Sequence, residues 1–112
     1  MPATEFVSQV TDDTFAGEVE QTQGLTIVDF WATWCGPCRV LSPILEQVAR
    51  DRAGEVKVVK VDVDENVRTA SRFNIRSMPT LLFFKDGQPV GQIVGAVPRA
   101  HIDQAIAQLT AT

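Results

Sequence analysis

Apolar and polar positions along the chain form blocks that predict strands and helices in turn. Two nearly unbroken apolar runs, Leu25–Trp31 and residues 56–63, are typical of strands that are covered on both faces of a parallel or mixed sheet. The first of these runs should lie at the centre of the sheet. Residues 5–8 predict a short first strand that precedes both of them.

A helical pattern follows the first long strand. From Cys35 to about Arg52, apolar residues recur every three or four positions, at Val40, Leu41, Ile44, Leu45, Val48 and Ala49. Pro43 should kink this helix because it removes an internal hydrogen bond. Three more helices are predicted: one that starts at residues 11–13, one over residues 66–73, and one that begins near Pro98.

The last third of the chain contains a hairpin pattern. Residues 80–84 and 90–94 are rich in strand-forming side chains, and the segment between them includes the turn sequence Lys85-Asp86-Gly87-Gln88. Helical and strand segments alternate before this hairpin. The pattern therefore predicts an α/β fold, in which a mixed sheet carries helices on both faces.

Length and charge narrow the class of protein. The chain has 112 residues, 45% of them hydrophobic, and we expect one domain over residues 1–112. A formal net charge of −4 without a basic cluster argues against binding to nucleic acid or to an anionic membrane. The first ten residues lack the pattern of a signal peptide, and no stretch approaches the ~20 apolar residues of a membrane span. We therefore expect a cytoplasmic protein.

Both cysteines lie in one short motif, Trp34-Cys35-Gly36-Pro37-Cys38, directly after the predicted central strand. This order would put Cys35 at the N-terminus of a helix, where free N–H groups and the helix dipole favour a thiolate. Cys35 is thus the expected nucleophile, exposed in the reduced protein. Cys38 lies one turn later on the same face, where a shielded thiol could resolve a mixed disulfide formed at Cys35.

Other functions of a cysteine pair fit this sequence less well than redox exchange. Structural zinc needs four N or S ligands, whereas the chain offers two cysteines and the distant His101, which we expect to be solvated. An iron–sulfur cluster within one chain fails by the same count. A purely structural disulfide would close too short a loop to remove much entropy from the unfolded chain. The acidic residues 62–65 lack the ligand spacing of a calcium loop and predict a solvated loop. No metal site is predicted.

Asp29 is the second informative residue. A carboxylate inside an otherwise apolar central strand is costly to bury in its charged form. Desolvation would raise its pKa toward the working range of a general acid or base. The alternative is an Asp29 side chain that turns into a hydrogen-bonded niche.

The motifs in this order and spacing resemble the thioredoxin family over almost the whole chain. A Cys-x-x-C pair alone is a weak signal, but the full Trp-Cys-Gly-Pro-Cys string with a Pro-Thr element roughly forty residues later is specific. The matching segments are Asp29-Phe30-Trp31, Trp34-Cys35-Gly36-Pro37-Cys38, Pro43, Lys60-Val61-Asp62, Met78-Pro79-Thr80, Lys85-Asp86-Gly87 and Val94-Gly95-Ala96.

This resemblance implies the thioredoxin fold, a five-stranded mixed β-sheet flanked by four α-helices on both faces. It also implies a general protein-disulfide reductase that acts in electron transport and cell redox homeostasis on diverse disulfide-containing proteins. The implied partner is a flavoprotein thioredoxin reductase or a ferredoxin-linked equivalent. No cofactor is implied besides the redox-active disulfide, and a monomer is expected. A disulfide oxidase or isomerase is disfavoured because Gly36-Pro37 supplies no cation between the cysteines.

The resemblance also assigns roles to individual residues. Asp29 would lie beneath the cysteines as a proton acceptor and donor for Cys38, with Lys60 beside it, although an ordinary exposed lysine is the alternative at that position. Met78-Pro79 is expected to be a cis peptide bond next to the cysteine pair. The family's apolar substrate-binding surface maps onto Trp34, Gly36, Pro37, Met78, Pro79, Val94, Gly95 and Ala96.

A function of another class is also compatible with the resemblance. The chain could be a binding or assembly subunit whose thioredoxin-like surface docks a partner, with incidental redox activity. The intact pair Cys35 and Cys38 and the carboxylate of Asp29 argue against this alternative, because a docking surface would need neither.

Overall fold

The computed structural model describes residues 4–111, and they form one five-stranded mixed sheet. The strand order is β1-β3-β2-β4-β5. Strands β1, β3 and β2 run parallel, whereas β4 is antiparallel to both of its neighbours. The central position of β2 is confirmed. The strands are β1 (Val7–Gln9), β2 (Leu25–Trp31), β3 (Val56–Asp62), β4 (Thr80–Lys85) and β5 (Gln88–Val94).

Within residues 4–111, four helices flank the sheet, and three of them are α-helices: α1 (Gly36–Asp51), α2 (Val67–Arg72) and α3 (Arg99–Thr110). The first helix is a π-helix, Ala16–Glu20, in which the N–H of Gln21 donates to the carbonyl of Ala16, 2.9 Å away. A helix was predicted here and is present, but it is a π-helix and not the α-helix that the resemblance implies. Apolar residues four positions apart do not distinguish the two helix types, and the carbonyl of Glu18 here accepts from the side chains of Thr22 and Lys57.

The hydrophobic core lies in two layers, one on each face of the sheet. Side chains at alternate positions of β2 point to opposite faces, so Ile27 packs under α1 and α3 while Phe30 packs under the π-helix. Asp29 shares the parity of Ile27 and therefore lies on the face covered by α1. This face carries the first turn of α1, where the two cysteines are found.

A tight turn joins β4 to β5. Asp86 and Gly87 both have positive φ, 50° and 84° respectively, which is the geometry of a two-residue hairpin turn. A Cβ atom on Gly87 would lie 2.0 Å from the carbonyl oxygen of Glu20 at the end of the π-helix. Only glycine fits between this turn and the π-helix.

Candidate active site

The two cysteines form a disulfide at the start of α1. Cys35 is the N-cap residue and Cys38 lies in the first turn, with their Cα atoms 5.4 Å apart. The N–H of Cys38 donates to the Sγ of Cys35, at 3.1 Å. Pro37 occupies the first turn, where its missing N–H costs no helical hydrogen bond. The Sγ of Cys35 therefore occupies the acceptor position that an N-cap oxygen usually takes.

Both cysteines are buried in this disulfide form, whereas the expectation of an exposed Cys35 refers to the reduced protein. Cys38 is fully buried, as predicted, but Cys35 is only 4% exposed in this disulfide form. Both pack in a small apolar cluster with Trp31 and Ala32, and Met78 lies against it. These apolar neighbours reduce the access of solvent to Cys35, so the exposed nucleophile expected from its place at a helix end is not seen in this redox state.

Asp29 is fully buried on the same face of the sheet. Its register partners are Lys60 on β3 and Leu81 on β4, so the side chains of Asp29 and Lys60 point to the same side. Neither carboxylate oxygen has a hydrogen-bond partner among the described residues. The hydrogen-bonded niche considered as an alternative is therefore not observed.

Desolvation dominates the titration of this carboxyl group. Burial raises the pKa of Asp29 to about 7 from its ordinary value of 3.8, and the positive charge of Lys60 opposes part of that rise. Lys60 is itself only 3% exposed, so it is not an ordinary surface lysine. A group with a pKa near neutrality exchanges protons readily under physiological conditions.

The residues predicted to bind substrate form a rim with graded exposure. The cis peptide bond Met78-Pro79 is confirmed. The structure brings Met78 against the cysteine cluster, and the N–H of Gly95 donates to the carbonyl of Pro79, at 2.9 Å. Within this set, Trp34, Gly36, Pro37, Val94 and Ala96 are exposed, Met78 and Gly95 are half-buried, and Pro79 is buried.

The structure adds a contact that the sequence pattern did not reveal. The Nε1 of Trp34 donates to the Oδ2 of Asp64, at 2.9 Å, and Asp62 in the same acidic segment is buried. The acidic segment is therefore not simply solvated. A usable signal was present, because β2 and β3 run parallel, so residues that follow their carboxyl ends meet at one edge of the sheet.

A second polar contact fixes the active-site loop from the helix. The guanidinium of Arg39 donates to the carbonyl of Thr33, at 3.3 Å.

Residues 4–111 contain no group of three or more His, Cys, Asp or Glu side chains that could hold a metal ion. Across the same residues, no helix is long and apolar enough to cross a membrane. His101 is exposed on α3, as predicted.

Taken with the sheet order, these features define an α/β protein with a redox-active Cys-x-x-C pair at the N-terminus of a helix. The family model "Thioredoxin" matches residues 6–108. Thioredoxin 1 of Nostoc sp. strain PCC 7120 is 50% identical over 99 residues, which cover 88% of this chain and 92% of that protein. A thioredoxin of Staphylococcus aureus is 46% identical over 100 residues, 89% of this chain and 94% of that protein. The chain belongs to the thioredoxin family.

Family membership fixes the class of activity. The chain is a thiol-disulfide oxidoreductase that reduces protein disulfides. Its redox group is its own disulfide, so the reaction needs no added cofactor. A protein of this family takes electrons from a reductase and passes them to disulfide-bonded substrates.

Proposed function

We propose that Cys35 is the nucleophile and Cys38 the resolving thiol of this reductase. The position of Cys35 at the N-cap of α1 carries the proposal, because its sulfur already accepts the N–H of Cys38 at 3.1 Å. That bond and the helix dipole would stabilise a thiolate in the reduced protein. The full burial of Cys38 suits a thiol that reacts only after Cys35 has engaged a substrate, although Cys35 is also buried in this disulfide form.

The proposed exchange has two steps. The thiolate of Cys35 attacks one sulfur of the substrate disulfide, so that a mixed disulfide forms and the other substrate sulfur leaves as a thiolate that takes a proton. Cys38 then loses its proton and attacks the Sγ of Cys35. The second substrate thiol is released, and the Cys35–Cys38 disulfide forms as the substrate disulfide is reduced by two electrons.

Asp29 is the proposed proton acceptor for Cys38, and its donor in the reverse direction. Three observations support this role: full burial, unpaired oxygens, and a pKa near 7 on the face that α1 covers. Lys60 is proposed as the group that keeps this pKa from rising further, since its charge is the factor that opposes desolvation. Asp29→Asn should therefore slow resolution of the mixed disulfide more than its formation.

The rim around the disulfide is the proposed substrate-binding surface. Trp34, Gly36, Pro37, Val94 and Ala96 offer exposed, largely apolar contacts, and such a surface discriminates little among partners. Met78, Pro79 and Gly95 would supply the backbone against which an extended substrate segment lies. These assignments suit a reductase with many substrates.

We propose the remaining features of the biological role from the family resemblance. The chain would act as a single domain over residues 1–112, as a monomer in the cytoplasm, in electron transport and redox homeostasis. Its electron donor would be a flavoprotein reductase or a ferredoxin-linked equivalent. A turnover assay with each reductase separates these donors, and sedimentation at micromolar concentration tests the monomer.

The assignment of the cysteines is tested by insulin reduction with dithiothreitol as the electron source. Cys35→Ser should abolish catalysis. In a separate incubation without dithiothreitol, Cys38→Ser that has been reduced beforehand should accumulate a mixed disulfide with insulin at Cys35, detected by mass spectrometry. Arg50→Ser, an exposed change on the same helix, is the matched control and should keep full activity. Accumulation of the mixed disulfide at Cys38 in the Cys35→Ser variant, with none at Cys35 in its counterpart, would reverse the roles.

A further inference from the structure

Among residues 4–111, Trp34 is the most exposed of the large apolar residues, with a relative solvent exposure of 66%. Its one polar contact with those residues is the hydrogen bond from Nε1 to the Oδ2 of Asp64. An exposed indole with a single anchor takes its orientation from the position of that anchor. The placement of Asp64 therefore determines how Trp34 is presented beside the disulfide.

The backbone of a short loop determines where Asp64 lies. Asp64 is exposed and follows the end of β3, and its N–H donates to the Oδ1 of Asp62, at 2.9 Å. Asp62 is buried, so the base of the loop is fixed while its apex reaches Trp34. The loop ends at Asn66, the residue before α2.

Asn66 closes this loop from inside the protein. It is 6% exposed, and both its backbone N–H and its Nδ2 donate to the carbonyl of Asp62, each at 3.0 Å. Its Oδ1 accepts the N–H of Asp12 from the segment after β1, at 2.9 Å. One side chain thus joins the two ends of the loop and ties them to a separate segment.

The side chain of Asn66 is available for this purpose because another residue caps α2. An asparagine at the N-cap normally accepts an N–H of its own helix, but Asn66 makes no such bond. Asp12 does so instead: its Oδ1 accepts the N–H of Thr69, at 2.8 Å, and its Oδ2 that of Arg68, at 3.4 Å. Asp12 therefore caps α2, while the side chain of Asn66 closes the Asp62–Asn66 loop.

We infer that Asn66 is a positioning residue for Trp34, acting through the Asp62–Asn66 loop and the carboxylate of Asp64. Its importance for reduction of protein disulfides rests on the proposed docking role of Trp34. Its effect on the indole does not rest on that role, and it can be measured separately.

The first measurement is the ¹⁵N relaxation order parameter of the Trp34 indole N–H, together with its hydrogen-exchange rate. Asn66→Ala should lower the order parameter and speed exchange about two- to tenfold, the range expected when a single hydrogen bond is weakened. Asp64→Ala is the positive control because it removes the acceptor itself. Asn66→Ala added to Asp64→Ala should have no further effect on the indole.

Two variants separate positioning from general loss of stability. Asp103→Ala removes the ion pair of α3 with Arg52, the residue that follows α1, and the ion pair with Arg99 inside α3, and it should leave the indole of Trp34 unchanged. Asn66→Asp keeps the acceptor for Asp12 but loses the donor to Asp62, and should give an intermediate order parameter even if the alanine variant does not fold. Wild-type indole dynamics in Asn66→Asp and Asn66→Ala, or equal loosening by Asp103→Ala, would overturn the inference.

The second measurement compares substrates. Asn66→Ala should raise the KM for insulin about two- to tenfold, while its rate with a small aromatic disulfide that needs no docking surface stays near that of wild type. If the indole loosens in both Asn66→Ala and Asp64→Ala but neither variant changes the KM, the positioning role stands and the docking role of Trp34 fails. Equal losses with both substrates would contradict an effect through docking.

Discussion

The buried carboxyl group of Asp29 should make the protein less stable as the pH rises, and Asp29→Asn should remove this dependence. In the unfolded chain the carboxyl group loses its proton near the ordinary pKa of 3.8, but in the folded protein it does so near a pKa of about 7. Between these values the folded state binds more protons than the unfolded state. Stability therefore falls with rising pH across this window and is constant above it.

The size of the effect follows from the same two values. At about 1.4 kcal/mol per pH unit, the gap between 3.8 and about 7 corresponds to about 4 kcal/mol of unfolding free energy. An amide has nearly the shape of a protonated carboxyl group and does not titrate. The Asp29→Asn variant need not have the same absolute stability as wild type. The charge of Asp29 is reported by how the difference in unfolding free energy between the two proteins changes with pH.

Urea unfolding of the oxidised protein from pH 4 to pH 9 measures this difference without titration of the thiols. The unfolding free energy of Asp29→Asn minus that of wild type should rise by up to about 4 kcal/mol as the pH increases from 3.8 to about 7, and should then stay level. Lys60→Met should raise the pKa of Asp29 further, because the opposing charge is lost, and should extend the window to higher pH. Parallel pH profiles for wild type and Asp29→Asn would refute the reasoning.

Three further changes test the packing by urea unfolding or thermal melting. Thr26→Val should stabilise the protein by about 1 kcal/mol, since the buried hydroxyl has no partner among the described residues; a loss would contradict this. Gly87→Ala should destabilise more than Gly54→Ala, because both have positive φ but only Gly87 faces the carbonyl of Glu20; equal losses would exclude the clash. Asp12→Ala should lower the melting temperature at neutral pH and less in acid, because hydrogen bonds hold the pKa of Asp12 below 3.8; a pH-independent loss would exclude this.

The sequence predicted the elements whose signal is periodic. The run Leu25–Trp31 is apolar at almost every position, and it is the buried central strand. The helix after Cys35 and the hairpin around Gly87 also follow from residue spacing and turn chemistry. The π type of the first helix did not follow, because the spacing of its apolar residues does not distinguish a π-helix from an α-helix.

The site was predictable only where its residues lie in one motif or break a local rule. Cys35 and Cys38 lie in one motif, and Asp29 was conspicuous as a carboxylate among apolar neighbours. The hydrogen bond between Trp34 and Asp64 joins residues 30 positions apart. Asp64 lies in an acidic segment whose sequence predicts an ordinary solvated loop. Such contacts depend on strand register, which a single sequence does not specify at the level of one side chain.

A buried polar group without a partner does not by itself identify a functional residue, and β2 provides the comparison within one strand. Thr26 and Asp29 are both buried, and both lack hydrogen-bond partners among the described residues. Thr26 lies on the face of the π-helix, away from the disulfide, and its hydroxyl does not change charge near neutral pH. Asp29 lies on the face covered by α1, beside its register partner Lys60, and has a pKa near 7. The same strand thus carries two unpaired groups. Thr26 should be replaceable with a gain in stability, whereas the cost in stability of Asp29 would be offset by the proton transfer proposed for it.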